Sequence, residues 1–382
     1  MIGNILDYCT ISGESVKKFE GIKKYIATGD VIENKIINSS EVEYRNKPSR
    51  ANQIAKEGDV IFAKMKDTKK VMKIDKENSE YIYSTGFYII KPNEGILTDY
   101  MYWVFNSTKF NRDKDKYCKG ATQKALNNEG LKKIKINKIP DIVEQQKIVS
   151  KLNKIDEIMN KKKKQLIMLD QLIKSQFVEM FGTIKENKKD YPIKSLIEVF
   201  DLIKDGTHST PIYTTDKKNG VKFLSAKDVS KGIIDWENTK YIPTELHERL
   251  VKRIKPQLND VLLAKNGTTG ICAKVNKEEI FDIYVSLALL RPNLENSSDY
   301  LVHAINNEKT KEQFEKSLKG VGVPNLHLGE IKKVKIIVPP LKIQKQFAEI
   351  VKQIDKQKFE SMIQLKMMEK IYNIINDRRR YV

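Results

Sequence analysis

The sequence has little cysteine and no long apolar run. Its three cysteines, Cys9, Cys118 and Cys272, lie far apart, and none belongs to a CxxC pair. This scarcity argues against a disulfide framework and against a zinc site. No stretch approaches the roughly 20 consecutive apolar residues of a membrane span. The N-terminal MIGNILDYCT lacks the basic and apolar regions of a signal peptide. We therefore expect a cytoplasmic protein.

Arginine is also scarce, since it supplies nine of the 70 basic residues. The formal net charge is nevertheless +20, which favours a polyanionic partner such as nucleic acid. Lysine, isoleucine and asparagine rise together in AT-rich genomes, so codon usage is an alternative source of part of this charge. A hydrophobic content of 40% is enough for buried cores.

Catalytic motifs are missing as well. The chain contains no GxxxxGK[ST] phosphate loop and no GxGxxG that opens a βαβ unit. Val338–Leu341 (VPPL) only superficially resembles the Asn/Asp-Pro-Pro-aromatic box of amino-methyltransferases, because its first residue is not polar and its last is not aromatic. Its position predicts a helix entry instead. The sequence thus favours a protein that recognises a binding partner and does not itself catalyse a reaction.

Two weaker candidates for chemistry remain in the sequence. The four histidines, His208, His247, His303 and His327, show no metal-ligand spacing. Glu33–Lys35 contains the ExK of a nuclease site, with Asp30 nearby. Such a triplet arises often in a chain that is 31% charged. A self-contained nuclease therefore stays a minor alternative, and no catalytic or metal-binding residue is predicted.

The chain contains an internal repeat with a register close to 200 residues. The register drifts by only one or two residues over more than a hundred, which chance similarity between lysine-rich segments does not explain. We infer a tandem duplication. The matching blocks are Lys119–Ile136 with Lys319–Ile336, Gly58–Lys64 with Asn259–Lys265, Ile90–Asn93 with Leu290–Asn293, Tyr100 with Tyr300, and Gln145 with Gln344.

The two halves differ at their starts. The second half carries Tyr191–Thr215, which includes the loop GTHSTP. The first half is expected to begin near the equivalent of Val199 and to have no such loop. A shared scaffold with different inserts suits two domains that bind different ligands.

The pattern predicts an α+β fold with two mixed α/β domains and two long helices. Short apolar runs such as DVIFAKM and TGFYIIKP in the first half, and VKFLSA, DVLLAK and YVSLALLRP in the second, predict strands. Tyr100–Phe110 is predicted to be a helix. The predicted domains are 1–139 and 183–338, with the long helices in 140–182 and 339–382.

The two long segments are predicted to form an antiparallel coiled coil. Residues 141–181 contain neither proline nor glycine, and forty helical residues would span about 60 Å. The polar middles, with Lys162 on one helix and Lys358 and Ser361 on the other, are expected to meet and fix the register. The alternative is packing on other subunits. The apolar seam consists of Ile148, Leu152, Ile155, Met159, Leu166, Leu169 and Ile173, then Phe347, Val351, Ile354, Leu365, Met368, Tyr372 and Ile375.

Polar loops with basic neighbours are the candidate DNA contacts, because base edges are read by donors and acceptors and phosphates by cations. The alternative for each loop is ordinary turn chemistry. In the second half the candidates are Lys204, Thr207, His208, Ser209, Thr210, Tyr213, Lys227, Lys265, Asn266, Thr268 and Thr269. In the first half they are Arg45, Lys47, Arg50, Lys64, Lys66, Thr122, Gln123 and Lys124.

With these residues in place, the chain resembles the specificity subunit of a type I restriction-modification system. The resemblance covers essentially the whole chain. It rests on the order of its motifs, which occurs twice, because no single motif is highly specific. The motifs are DGTHSTP, DVLLAKNGTTG, the KG…L element before each proline entry, Pro140 with Gln145-Gln146, and SQFVEMFGT at Ser175–Thr183.

The resemblance implies that each domain reads one half of a split site on double-stranded DNA, while the helices set the gap. It also implies two methyltransferase subunits that use S-adenosylmethionine, and possibly two restriction subunits that use ATP with Mg. No cofactor is expected in this chain itself, and no membrane partner. The alternative is a stand-alone structural or regulatory DNA-binding protein.

Overall fold

A computed structural model describes residues 2–187, 189–318 and 325–378, with the side chains of residues 377 and 378 left out of the description. The Lys319-Gly320 pair of the repeat lies outside this range. The chain divides into two compact units, Met1–Gln165 with Ser361–Val382, and Leu166–Glu360. Each unit therefore contains one mixed domain and one stretch of each long helix.

The first unit is built on two main sheets. One has the order β10-β9-β12-β2 and the other β3-β8-β11-β4-β7. Its strands are β1 Ile2–Asn4, β2 Cys9–Ile11, β3 Glu14–Ser15, β4 Lys23–Ile26, β5 Val31–Ile32, β6 Lys35–Ile36, β7 Ser40–Val42, β8 Ala51–Ile54, β9 Val60–Ala63, β10 Val71–Lys73, β11 Ile82–Ser84, β12 Phe87–Pro92 and β13 Lys135–Asn137. Its helices are α1 Thr98–Asn106, α2 Thr108–Lys116, α3 Asn128–Leu131 and the start of α4 Ile142–Phe181.

The second unit repeats the four-stranded sheet as β15-β21-β18-β19 and adds a smaller sheet, β17-β16-β20. Its strands are β14 Ile193–Ser195, β15 Phe200–Asp205, β16 Val221–Leu224, β17 Lys240–Ile242, β18 Val261–Ala264, β19 Cys272–Lys274, β20 Phe281–Ile283, β21 Leu287–Pro292 and β22 Lys335–Ile337. Its helices are α5 Leu196–Val199, α6 Thr244–Leu250, α7 Ser298–Asn306, α8 Glu308–Lys316, α9 Leu328–Lys333 and the start of α10 Leu341–Arg378.

Strands form where the sequence has short apolar runs, as predicted. All four residues of β9 and all four of β18 are buried, because both faces of these central strands are covered. These two strands hold equivalent places in the two four-stranded sheets. The fold class and the internal repeat are therefore confirmed.

The predicted helix at Tyr100–Phe110 is wrong in one respect, because Ser107 divides it. Ser107 has extended backbone angles, and its hydroxyl accepts a hydrogen bond from the Phe110 amide at 3.1 Å. This N-cap ends α1 and starts α2. The hydrophobic period continues across the break, so the pattern alone did not indicate it.

The expectation that the first half lacks its beginning is also wrong. Strand β1 pairs with β13 as β14 pairs with β22, so Ile2 lies opposite Asn137 and Ile193 opposite Ile337. Ile2 thus corresponds to Ile193, although the register there is 191 residues and not 200. The first domain begins on the same strand and is shorter inside, after β2. Gaps inside a repeat shift its register, which hid the match.

The long helices pair as a coiled coil, as predicted. In the first unit, Val149 and Leu152 of α4 share a core with Tyr372 and Ile375 of α10. In the second unit the other ends of the helices pair. The shared core there contains Leu169, Ile173, Phe177 and Phe181 of α4 with Phe347, Val351 and Ile354 of α10.

All predicted seam side chains are buried or half-buried. The polar middle differs from the expectation. In the second unit, Lys358 forms an ion pair with Asp170 of α4 at 2.6 Å, and Ser361 is buried in the first unit. Lys162 donates a hydrogen bond to Gln165 of its own helix at 3.1 Å. The seam pattern missed Asp170 because it lies beside the apolar stripe.

Across the described helices, none combines the length and the apolar character that crossing a membrane requires.

Candidate nucleic-acid interface

The GTHSTP loop of the second unit follows directly from β15, and its first residues are held by β20. The Thr207 amide donates to the Ile283 carbonyl at 3.1 Å, and the Val285 amide donates to the Thr207 carbonyl at 2.9 Å. A Cβ at Gly206 would lie 2.0 Å from the Ile283 carbonyl oxygen, so no other residue fits there. Glycine is needed at this position because two backbone segments approach each other closely there.

Asp205 is the electrostatic centre of this loop. Its buried carboxylate accepts hydrogen bonds from Arg253 Nη2 at 2.9 Å and Lys265 Nζ at 3.1 Å, and His208 Nε2 lies 3.1 Å away. Arg253 also donates to the Gly206 carbonyl at 2.8 Å. Charge-assisted bonds of this kind are stronger than neutral ones. They hold the base of the loop while its tip stays in solvent.

The tip of the loop presents polar side chains to solvent. Lys204, His208, Ser209 and Thr210 are exposed, and Thr207 is half-buried. The His208 ring is exposed and contacts Asp205, so it presents a polar group to solvent and also helps to hold the loop.

Tyr213 marks the other end of this loop. Its ring packs edge-on against Phe223, and Lys240 Nζ lies 3.9 Å from its centroid. Burial raises the pKa of the Tyr213 hydroxyl, and the charge of Lys227, which is exposed on the short helix after β16, opposes that shift. Tyr213, Lys227 and Lys240 therefore belong to one polar and basic surface.

The KNGTTG loop after β18 begins beside the same cluster. Lys265 is only 4% exposed, and its ammonium group is bound to Asp205, so the structure places it inside the loop's support and not at its surface. The backbone of Asn266 forms an isolated antiparallel β-bridge with Asn325. Thr268 is exposed and Asn266 and Thr269 are half-buried, so these three present polar groups at the surface.

In the first unit, the loop after β9 and the segment before α3 come together. The Leu126 amide donates to the Lys64 carbonyl at 2.8 Å, and the Lys66 amide donates to the Lys124 carbonyl at 2.9 Å. This pairing places the exposed Thr122, Gln123 and Lys124 beside Lys64 and the exposed Lys66. Two segments predicted separately thus form one surface.

Lys64 links this surface to the basic turn Arg45–Arg50. Its ammonium group donates to the Thr85 carbonyl at 2.8 Å, while the Thr85 amide donates to the Arg50 carbonyl at 2.9 Å. Burial lowers the pKa of Lys64. Arg45 and Arg50 are exposed, and Lys47 donates to the Ala51 carbonyl at 2.8 Å. Hydrogen bonds therefore join Arg50, Lys64, Lys66 and the Thr122–Lys124 segment in the first unit.

Three basic residues of these surfaces were missed in the sequence. Arg253 follows α6, and Lys240 is the first residue of β17. Both elements are distant in sequence from the loop that these residues contact. Lys114 of α2 is buried, and its ammonium group binds the carbonyls of Met65 and Thr68 under the Lys64–Lys66 segment. Pairing distances of 46 to 49 residues leave no local signal. Only its spacing of four residues from the apolar Phe110, on the buried face of α2, could have marked Lys114.

The nuclease alternative gains no support from the ExK segment. The Asp30 carboxylate accepts the Ala27 amide at 2.8 Å and so caps a short helix. Glu33 lies on the β5–β6 hairpin, where its carbonyl accepts the Val71 amide at 3.1 Å. Among the described residues, no three His, Cys, Asp or Glu side chains are grouped as a metal site requires.

The same family of domains is found twice along this chain. The family model for the type I restriction modification DNA specificity domain matches residues 2–168 and again residues 188–367. The chain belongs to this family. The resemblance stated from the sequence is therefore confirmed, and the two matches coincide with the two repeats of the specificity domain.

Individual relatives agree with this membership. The chain is 25% identical over 307 residues to the type I restriction enzyme MjaIX specificity subunit of Methanocaldococcus jannaschii, which covers 75% of this chain and 69% of that protein. It is 24% identical over 137 residues to the HindI specificity subunit of Haemophilus influenzae, covering 35% of this chain and 30% of that one.

Solved structures share the fold. A chain from a structure that addresses assembly and conformational transition of the type I R-M system superposes with a TM-score of 0.64 at 19% identity, covering 99% of this specificity chain and 96% of that chain. A type I S subunit from M. genitalium gives 0.57 at 14% identity, covering 98% and 94%. These likenesses show that the chain shares its fold with those structures.

Proposed function

We propose that this chain is the DNA-specificity subunit of a type I restriction-modification complex, and that each domain reads one half of a bipartite site. The observation that carries the proposal is the pair of loop surfaces. Each joins exposed polar side chains to lysine or arginine and includes the loop after the equivalent central strand, β9 or β18, but the residues differ between the repeats. Two similar scaffolds with different loop residues suit a DNA site whose two halves differ in sequence.

The loops divide between positioning and reading. Lys204, Lys227, Lys66 and Arg50 are exposed cations suited to phosphate. Ser209, Thr210, Thr268, Thr122 and Gln123 carry the donors and acceptors that read base edges. Lys265 supports the loop through Asp205 in this scheme, since its ammonium group is already occupied.

The coiled coil is proposed to set the gap and to bind two methyltransferase subunits. Apolar side chains on the part of α10 in the first unit support a docking surface, because they remain exposed while the seam of the same helix packs against α4: Ile363, Met367, Ile371 and Ile374 are 43 to 58% exposed. S-adenosylmethionine, and ATP with Mg where restriction subunits take part, would then belong to the partners. Members of the family are named specificity subunits, and we propose the same non-catalytic role here.

Methylation sequencing of the host genome with and without the gene tests this function. We expect one split adenine-methylated motif to disappear on deletion and to return with the wild-type gene. Retention of every split motif would contradict the proposal. Co-purification supplies the second arm, since a stand-alone DNA-binding protein would bind its sites with no methyltransferase attached.

A further inference from the structure

Each long helix is joined to its own domain by a buried glutamine. In the first unit Gln145 is 1% exposed, and its Oε1 accepts the Leu97 amide at 2.9 Å. Its Nε2 donates to the carbonyls of Gly95 at 2.9 Å and Pro140 at 2.8 Å. Both N–H groups and the carbonyl of this side chain are therefore used.

The second unit repeats the arrangement with Gln344, which is fully buried. Its Oε1 accepts the Ser297 amide at 2.8 Å. Its Nε2 donates to Asn296 Oδ1 at 2.9 Å and to the Pro339 carbonyl at 2.8 Å. One domain loop and one helix entry are thus bound by a single amide in both repeats.

These glutamines also connect the helices to the central strands. Thr98, which follows Leu97, donates its hydroxyl to the Gly58 carbonyl at 2.9 Å, just before β9. Ser298 likewise donates to the Asn259 carbonyl at 2.6 Å, just before β18. In each unit, two hydrogen bonds in series therefore connect the start of the central strand, β9 or β18, to the first turn of a long helix.

We propose that Gln145 and Gln344 are positioning residues that fix the direction in which each long helix leaves its domain, and thereby limit the gap lengths accepted between half-sites. The inference rests on the proposed function. A helix of 40 residues is about 60 Å long, so a tilt of about 3° at one end displaces the other by about 3 Å, close to one base-pair rise. A small change in the direction of the helix is therefore enough to let the complex accept more than one gap length.

Methionine at these positions tests the inference, because it keeps the length and apolar contacts of glutamine but removes all its hydrogen bonds. The assembled methyltransferase complex is assayed on duplexes carrying the two half-sites from the genomic motif, with the native gap and with one base pair more or fewer. We expect Q145M and Q344M each to lower the preference for the native gap about tenfold, as loss of buried hydrogen bonds predicts. The penalty for a changed base within either half-site should not move.

The adjacent Gln146 is exposed, so Q146M is the matched control and should behave as wild type. If a methionine variant does not fold, Q145N and Q344N replace it, since asparagine keeps the amide but shortens its reach by one methylene. Wild-type gap preference in the variants would overturn the inference, and so would an equal loss of half-site preference, which indicates general unfolding. Absence of site-specific methylation by the wild-type complex would instead overturn the proposed function.

Discussion

Lys265 Nζ lies 3.1 Å from Asp205 Oδ2, and this contact joins the ends of β18 and β15 beneath the second unit's polar loop. Burial by itself raises the pKa of Asp205, but the hydrogen bonds of Lys265 and Arg253 and the charge of Lys265 outweigh it, and the pKa lies below its usual value. Asp205 is therefore ionised when the loop is folded.

Replacing Asp205 by asparagine should destabilise the second unit by about 3 kcal/mol at neutral pH, because Lys265 keeps a buried charge without its counter-ion. Urea unfolding measures the change. D201N, at an exposed position of the same strand, is the control and should stay within about 0.5 kcal/mol of wild type. Equal stability of D205N and wild type at pH 7 would contradict this role.

The same pair predicts a pH dependence. Because the pKa of Asp205 is lower in the folded state, its contribution to stability is present above the unfolded value of about 3.9 and is lost as pH falls through the folded value. The free energies of unfolding of D205N and wild type should therefore converge in acid below about pH 4. A difference that stays constant from pH 7 to pH 3 would show that Asp205 acts by packing alone.

The exposed tip of the second loop should control only one half-site. We expect the S209A/T210A variant to relax base preference there by about 1–3 kcal/mol per lost contact and to leave the other half-site unchanged. K204A should instead weaken binding to all sequences and lower the salt slope by about one. Competition binding at several salt concentrations separates these effects. Changes in both half-sites after S209A/T210A would argue against separate reading domains.

Phe181 should be critical for the second unit although it lies at the end of the central helix. Its ring is buried against Tyr300, at 4.9 Å between centroids, and against Phe347, at 5.4 Å. F181A should cost about 3–5 kcal/mol through the cavity it leaves. Amide hydrogen exchange should show lost protection in residues 166–360 only. V178A, at a position 46% exposed on the same helix, is the control.

Lengthening the coiled coil should lengthen the unread gap. Matching heptads inserted after Lys162 and after Gln364 add about 10 Å of helix, which corresponds to about three base pairs. Methylation sequencing should then find both half-sites unchanged and the gap longer by that amount. An altered half-site, or an unaltered gap in a methylation-competent variant, would show that the helices do not measure the site.

The sequence by itself determined the duplication, the central strands and the coiled-coil seam. Each depends on local chemistry that repeats at a readable period: buried runs such as VIFA and VLLA for strands, and spacings of four and three for the helices. The family followed from the order of motifs. Even the equivalence of Gln145 and Gln344 was visible, because both follow a proline entry at the same distance.

Tertiary structure alone decided what those residues do. Asp205 and Lys265 are 60 residues apart, and Gln145 reaches Leu97 across 48, so no local period reports either contact. The start of the first domain emerged only from the pairing of β1 with β13, because the first unit is shorter than the second after β2 and the register of the repeat shifts there. Local pattern fixes which elements form, whereas burial decides which charges and amides must find distant partners.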